Sequence, residues 1–204
     1  MGAIDLSGKL IVFEGIDSSG KSTQARLLAE RLRALGVPVV STREPGGTPI
    51  AELIREVVLK NEHSEMLPLS ELLLFIVSRT QNTHEVIEPA LQAGKTVVAS
   101  RYRMSSLAYQ GYGRGIDLDL VRRLNEAATT GQKADITFLV DLPVEIALAR
   151  KEDADRIEEE SLAFHQRVRN GFLELAREDE SVRVLDGCRS AERIAEDVAS
   201  CLGL

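Results

Sequence analysis

The chain has 204 residues, 44% of them hydrophobic, with a net charge of −7 and a pI near 5.1. That is enough apolar material for a substantial core, and a single domain, 1–204, is the simplest count. The acidic balance lacks the electrostatic footprint of a protein that holds nucleic acid or an anionic membrane, and no stretch reaches the ~20 apolar residues that span a bilayer.

In chain order, the first expected strand is 9–15, short and almost uninterruptedly apolar. A helix follows at 22–35, closed by Gly36, then a strand at 38–42 and a helix at 49–60. A long helix is expected over 70–93, closed by Gly94, ahead of a strand at 96–100. The remaining pattern reads as helix 117–128, strand 136–141, helices 143–150 and 160–178, strand 182–185 and helix 190–201. The strand segments are rich in Val, Ile and Phe without polar alternation, the pattern of strands buried on both faces of a parallel sheet. Strand and helix in alternation predict an α/β, doubly wound fold. The charged run RKEDADRIEEE (150–160) reads either as a mobile segment or as a solvated helix face. Internal repeats and low-complexity linkers are lacking. Cys188 and Cys201 have no metal-ligand spacing and read as reduced thiols in a reducing compartment. The start, MGAIDLSGK, has neither the basic nor the apolar region of a signal peptide, and Leu6 stands where a myristoylation signal needs Ser or Thr. A soluble, cytoplasmic protein is expected.

The stretch FEGIDSSGKSTQ (13–24) leaves the first strand and enters the first helix. Within it Gly15 to Ser22 fit G-x-x-x-x-G-K-[ST], the phosphate-binding P-loop. Glycines let backbone N–H groups turn inward around an anion, and the helix adds the positive end of its dipole. Gly15, Ile16, Asp17, Ser18, Ser19, Gly20, Lys21, Ser22 and Thr23 are therefore the expected ATP-binding residues. Lys21 reaches the β- and γ-phosphates, and Ser22 supplies a hydroxyl to Mg²⁺. A GTPase needs a guanine-reading N-K-x-D motif, which is missing. A motor ATPase needs an apolar run ending in a metal-binding Asp, for which FLVD, ending at Asp141, is the one superficial fit.

A second set of residues suits a phosphorylated acceptor. Arg43 emerges at the end of the second strand and Arg101 at the end of the third, where ligands bind in open α/β sheets. Two planar guanidiniums converging there suit one phosphate, although each alone reads equally as a surface arginine. Phe75 and Arg79 lie four residues apart and share a helix face that can stack a base and bond its edge. Phe75 reads as well as a core residue.

The motifs FEGIDSSGKSTQ, TREPGGT, LLLFIVSRTQ, SRYRMSSLAYQGYGRGID and DRIEEES, in this order over most of the chain, resemble thymidylate kinases of the bacterial type. The resemblance implies a P-loop kinase fold with a five-stranded parallel sheet and a short lid at about 150–158. It implies phosphorylation of dTMP to dTDP for dTTP biosynthesis, with ATP as donor, Mg²⁺ as cofactor and a homodimeric enzyme. By position it puts Phe75 on thymine, Arg79 on its O4, Ser106 near the base edge and Tyr109 against the sugar. Arg43 and Arg101 hold the acceptor phosphate, Asp17 orients the 3′-hydroxyl, and Ser105 and Gln110 join the substrate-binding set. The P-loop has no arginine at positions 16–19, so the resemblance assigns the catalytic arginine to the lid, as Arg150 or Arg156, with Lys151 adjacent. Lys21, Asp17 and Arg101 complete the expected catalytic set. The segment 150–160 thereby becomes the expected lid.

No general base is apparent, and a phosphate acceptor, with a second pKa of about 6, requires none. Ser100 stands where the family ordinarily has Asp, which leaves the metal shell one carboxylate short. Two other readings stay open: a kinase for another nucleotide, such as dUMP, and an ATP-gated interaction protein that binds without turnover.

Overall fold

The structure, a computed structural model, describes residues 5–150 and 155–204. Five strands, β1 Leu10–Glu14, β2 Val39–Arg43, β3 Thr96–Ser100, β4 Ile136–Asp141 and β5 Val182–Asp186, form one parallel sheet in the order β2-β3-β1-β4-β5. The alternation of side chains along β1 defines its two sides. Ile11 and Phe13 pack with Phe138, Leu28, Leu32, Ile194 and Val198, whereas Leu10 and Val12 pack with Ile87, Ala90 and Tyr102. The first group brings α1 (Lys21–Ala34) and α9 (Ala191–Cys201) onto one face. The second brings the segment that ends in α4 (Glu88–Gln92) onto the other, as a doubly wound sheet requires.

β1 and β3 are buried throughout, but β2 and β5 are the sheet edges and carry exposed residues, Val184 among them. Burial on both faces therefore holds for the inner strands only. The remaining helices are α2 (Pro49–Leu59), α3 (Pro68–Asn82), α5 (Arg103–Ser106), α6 (Leu118–Ala128), α7 (Val144–Ala149) and α8 (Leu162–Glu178). Proline opens α2 and α3, where a missing N–H costs nothing. The helix expected over 70–93 is interrupted by a π-helical turn, Thr83–Ile87, before α4 restarts at Glu88 with Pro89 in its first turn. A helical segment not expected from the sequence fills 103–113, as α5 continued by a second π-helical turn, Leu107–Gly113. Residues 155–160 form a turn with Arg156 and Ile157 buried, so this part of the charged run is not a solvated helix face.

Candidate active site

β1 sits where the strand order reverses, with β3 on one side and β4 on the other, so the loop leaving it occupies the topological switch point. Gly15 has φ 142°, and a Cβ there would stand 2.5 Å from the Val140 carbonyl oxygen, so the loop passes β4 only because residue 15 has no side chain. Gly20, φ 96°, precedes the first turn of α1, and that helix begins with no side-chain cap. Its first N–H groups are left for an anion. The Ser19 hydroxyl is buried without a partner in the same loop. Lys21 folds back over the loop, donating to the Ile16 carbonyl at 3.1 Å and standing 3.6 Å from Asp17. Burial and the Arg101 charge push its ammonium down to about 8, with Asp17 opposing. Ser22 and Thr23 are exposed at the head of α1, and the Ser22 hydroxyl lies 3.1 Å from that of Ser100.

The register aligns Phe13, Ser100 and Arg43 across β1, β3 and β2, which brings the next residues of β1 and β3 side by side. Arg101 adopts φ 70°, a left-handed conformation unusual for a side chain of this size. Bonds on both sides fix it. Its own N–H donates to the Phe13 carbonyl at 2.9 Å, and the Tyr102 N–H donates to Glu14 Oε1 at 2.8 Å. Glu14 is fully buried and also accepts from the Ser105 N–H and hydroxyl. The turn so held aims the Arg101 guanidinium at the Asp17 carboxylate, with a further bond to Ser105 Oγ at 3.0 Å. Tyr109 donates to the other Asp17 oxygen at 2.6 Å, and its ring lies 4.8 Å from the Arg101 guanidinium. Burial alone would push the Asp17 carboxyl up, but Arg101, Lys21 and Tyr109 outweigh it and hold the group well below the usual carboxylate range.

Next to this cluster lies a cavity lined by Asp17, Glu44, Pro45, Arg55, Leu59, Phe75, Arg79, Arg101, Ser105, Ser106, Tyr109, Gln110, Asp155 and Ile157. Eight of the sequence-derived acceptor residues thus share one cavity: Asp17, Phe75, Arg79, Arg101, Ser105, Ser106, Tyr109 and Gln110. Phe75 is half-buried: it packs against the core and also lines the cavity. Arg79 is buried. Its Nε donates to Glu44 at 2.7 Å, Nη1 to Ser106 at 2.7 Å and Asn125 at 2.5 Å, and Nη2 to the Tyr102 carbonyl at 2.8 Å. A guanidinium has five donors, so among the described residues one Nη2 hydrogen has no partner.

Arg43 departs from expectation. Its side chain is outside the cavity and forks onto the Glu52 carboxylate at 3.1 and 3.0 Å. Arg55, on the helix after the TREPGGT stretch, lines the cavity instead and donates to the Pro45 carbonyl at 3.1 Å. Burial first, then the charge of Arg43, lowers its pKa, a sign of several cations crowded at one edge. The sequence signal for Arg55 was present but weak: a cation on an amphipathic helix reads as solvated surface. Glu44 and Asp155 are likewise cavity residues that the sequence did not single out.

Lys151 and the centre of the expected lid lie outside the described residues. Of the two arginines bracketing it, Arg150 is exposed, with Nη2 donating to the Gly187 carbonyl at 3.3 Å. Arg156 is buried and donates to Glu71 at 2.8 Å and to the Val58 carbonyl at 3.1 and 2.9 Å. With those partners it faces the base of α3 rather than the cavity. Asp141 is taken by Arg169, which bonds both carboxylate oxygens at 2.7 and 2.9 Å, so it has none of the freedom of a motor-type metal ligand. Among the described residues no group of three metal-ligating side chains occurs, no helix is long and apolar enough to cross a membrane, and both cysteines are exposed and unpaired.

A P-loop at the switch point of a parallel sheet, with an arginine-bearing cavity beside it, is the arrangement of a P-loop kinase. The sequence model of thymidylate kinases matches residues 13–198. The thymidylate kinase of Pelotomaculum thermopropionicum is 45% identical over 198 residues, covering 95% of this chain and 92% of that one. That of an Exiguobacterium species is 48% identical, covering 95% and 93%. The crystal structure of thymidylate kinase from Ehrlichia chaffeensis superposes with a TM-score of 0.82 at 35% identity, over 97% of this chain and all of that one. The chain belongs to the thymidylate kinase family.

Proposed function

We infer that this chain is a dTMP kinase, transferring the γ-phosphoryl group of ATP to the phosphate of dTMP to give ADP and dTDP for dTTP synthesis. Family membership supports the reaction, and one observation carries its assignment to this site. The cavity beside the P-loop gathers an aromatic face, Phe75, a base-edge donor, Arg79, and a paired sugar-facing acid, Asp17. Phe75 stacks on thymine, the spare Nη2 hydrogen of Arg79 bonds O4, and Ser105, Ser106 and Gln110 complete the polar wall. Tyr109 crowds the sugar where a 2′-hydroxyl would project. Arg101 and Arg55 hold the acceptor phosphate, with Arg43 behind them. The acceptor is mostly dianionic at neutral pH, so catalysis reduces to alignment and charge neutralisation without a base.

ATP lies along Gly15 to Thr23, with Lys21 at the transferring phosphoryl group. Mg²⁺ fits this loop: it is a hard cation that needs few protein groups beside nucleotide phosphates, and the exposed Ser22 hydroxyl would be the group that holds it. Bound there, the ion neutralises charge on the donor phosphates. Asp17 keeps Arg101 and Lys21 charged and apart until the phosphates replace it as their partner. The whole chain acts as one kinase domain in the cytoplasm, with 150–158 as its lid and Arg150 as the arginine that lid brings to the donor.

A second copy of the chain completes the assembly. Ile50, Leu53 and Val57 on α2 and Leu69, Leu73 and Val77 on α3 are exposed at helical spacing, and the two helices pack together. An apolar face of that kind suits a symmetric partner.

ADP release across a panel of nucleoside monophosphates tests the reading. Turnover should be strongest with dTMP, weaker with dUMP and slight with ribonucleotides. Equal rates across the panel, or ATP binding without turnover, would reject it.

A further inference from the structure

Glu71, in the first turn of α3, has no part in the chemistry above, yet it is fully buried and every oxygen of its carboxylate is used. Oε1 accepts from Gln110 Nε2 at 2.9 Å and from Arg114 Nε at 3.1 Å. Oε2 accepts from Arg114 Nη2 at 2.9 Å and from Arg156 Nη2 at 2.8 Å. Burial alone would push this carboxyl up, but the donors of Arg114, Gln110 and Arg156 hold it below its ordinary value.

The three donors come from two separate segments, and each segment carries cavity residues. Gln110 itself lines the cavity and Tyr109 is its neighbour on the π-helical turn, while Asp155 and Ile157 flank Arg156. Arg156 also forks onto the Val58 carbonyl, one residue before Leu59 at the end of α2. Glu71 therefore ties the two walls of the cavity to α3, one helical turn below Phe75. A buried ionic cluster is a poor means of stabilising a fold, because an apolar replacement of similar volume often does as well. What such a cluster fixes is geometry.

We propose that Glu71 is a positioning residue for the acceptor, setting the gap between the wall that bears Tyr109 and Gln110 and the turn that bears Asp155 and Ile157. The proposal rests on the reading of this cavity as the dTMP site. It predicts an effect mainly on one substrate: the base and sugar lie between those walls, whereas the P-loop meets them through Asp17, bonded to Tyr109, and not through its phosphate-facing backbone.

The test is Glu71→Gln, which keeps the shape and removes the charge. Initial rates are measured against dTMP at saturating ATP and against ATP at saturating dTMP, alongside thermal melts. A looser gap weakens contacts that the base and sugar make equally in ground and transition states, so KM for dTMP should rise about tenfold. KM for ATP and kcat should stay within about twofold, since the phosphate-facing backbone is set by Gly15, Gly20 and the head of α1 rather than by Glu71. Equal changes in both KM values, or a lower melting temperature with neither KM changed, would overturn the proposal and leave Glu71 as an anchor only. Arg156→Lys decides the matter if the first variant does not fold. It keeps a cation for Glu71 but loses the fork onto Val58, and should raise KM for dTMP about threefold at constant kcat. A collapse of kcat with KM for dTMP unchanged would overturn the proposal and assign Arg156 to the transferring phosphoryl group. Absence of dTMP-dependent turnover in the unaltered enzyme would instead mark failure of the underlying reading.

Discussion

The donor loop and the acceptor cavity share one edge of the sheet but are built on different principles. The donor site is consecutive backbone: Gly15 to Ser22, with glycines where the chain must turn and a helix dipole behind them. The acceptor site is made of side chains from the ends of β1 and β3, from α2 and α3, from the π-helical turn 107–113 and from the turn at 155–160. A backbone cradle depends on one uninterrupted stretch and tolerates whatever surrounds it. A cavity of side chains depends on many long-range contacts, so its residues are also structural residues. Arg79, bonded to four partners, belongs to both categories at once. Lys21, by contrast, has hydrogen-bond and ion-pair partners only in its own loop among the described residues.

The largest expected effect separates the two sites most cleanly. Lys21→Ala removes a positive charge from the transferring group and should lower kcat by about 10²–10³ or more, as the loss of a preorganised charge partner does. The melting temperature should hold or rise, because the variant no longer buries an ammonium whose charged form burial disfavours. Near-normal turnover would remove the P-loop from the mechanism, and unfolding would mean that the loop is as structural as the cavity.

The matching change in the cavity should fail on both counts. Arg79→Met leaves Glu44 buried without its charged partner, which costs about 3–5 kcal/mol of stability and roughly 10 °C in Tm. Phe75→Ala dissociates the two roles, since the half-buried ring packs on the core and also lines the cavity: dTMP affinity should fall by ~1–3 kcal/mol with little change in ATP affinity. Thermal melts and titrations with each nucleotide decide. If Arg79→Met melts like the unaltered chain, the cavity residues are not structural residues.

The same division governs what could be read from the residues alone. The loop was legible because its glycines, lysine and serine are adjacent, and the five strands because apolar runs of parallel-sheet type announce themselves. Phe75 and Arg79 were found through a helix period, and Arg101 through its place at a strand end. Arg55 escaped because an arginine on an amphipathic helix has no local mark of burial. Arg43, chosen for its position at a strand end, turns to Glu52, a pairing decided by the packing of α2. The helix over 103–113 was invisible because Gly111 and Gly113 read as loop. Both lie against neighbours that leave no room for a Cβ, Leu118 in one case and Phe164 in the other. In the sequence Arg156 reads as a free cation because nothing local marks its buried carboxylate partner 85 residues away.

A pH experiment sharpens the donor side. Lys21 sits near 8 in the free enzyme, well below its ordinary value, and anionic phosphates favour its charged form. ATP binding above pH 8 should therefore take up about one proton, and affinity should fall about tenfold between pH 8 and pH 9.2. Stability runs the other way. Between about 8 and the ordinary lysine value the unfolded chain holds a proton that the folded chain has released, so this group makes the fold more stable as pH rises. Weakened binding in that window is thus not unfolding. Calorimetry in two buffers of different ionisation enthalpy measures the uptake. ATP affinity that is flat from pH 7 to pH 9.5 would mean that the charge on Lys21 contributes nothing to binding.

The smallest effect concerns Ser100, whose hydroxyl lies 3.1 Å from that of Ser22 and which ends β3 beside the donor loop. A carboxylate at this position would accept the Ser22 hydroxyl proton and turn the oxygen lone pairs outward, toward a cation. It would also add a negative charge near that cation, where the attraction acts at shorter range than repulsion from the donor phosphates. Groups that orient a metal ligand in this way change affinity by about 10–100-fold when the ligand is firmly held, and Ser22 is one exposed hydroxyl among mostly phosphate and water ligands. Ser100→Asp should accordingly lower the Mg²⁺ concentration for half-maximal rate by only about threefold to tenfold, at or below the lower bound of that range, and hold or raise kcat. Mn²⁺ binding in the presence of a non-hydrolysable ATP analogue, followed by electron paramagnetic resonance, should tighten by a similar factor. The opposing outcome is equally clear: identical metal titrations for the two proteins would mean that Ser100 merely ends a strand and that the phosphates, with Ser22, define the metal site by themselves.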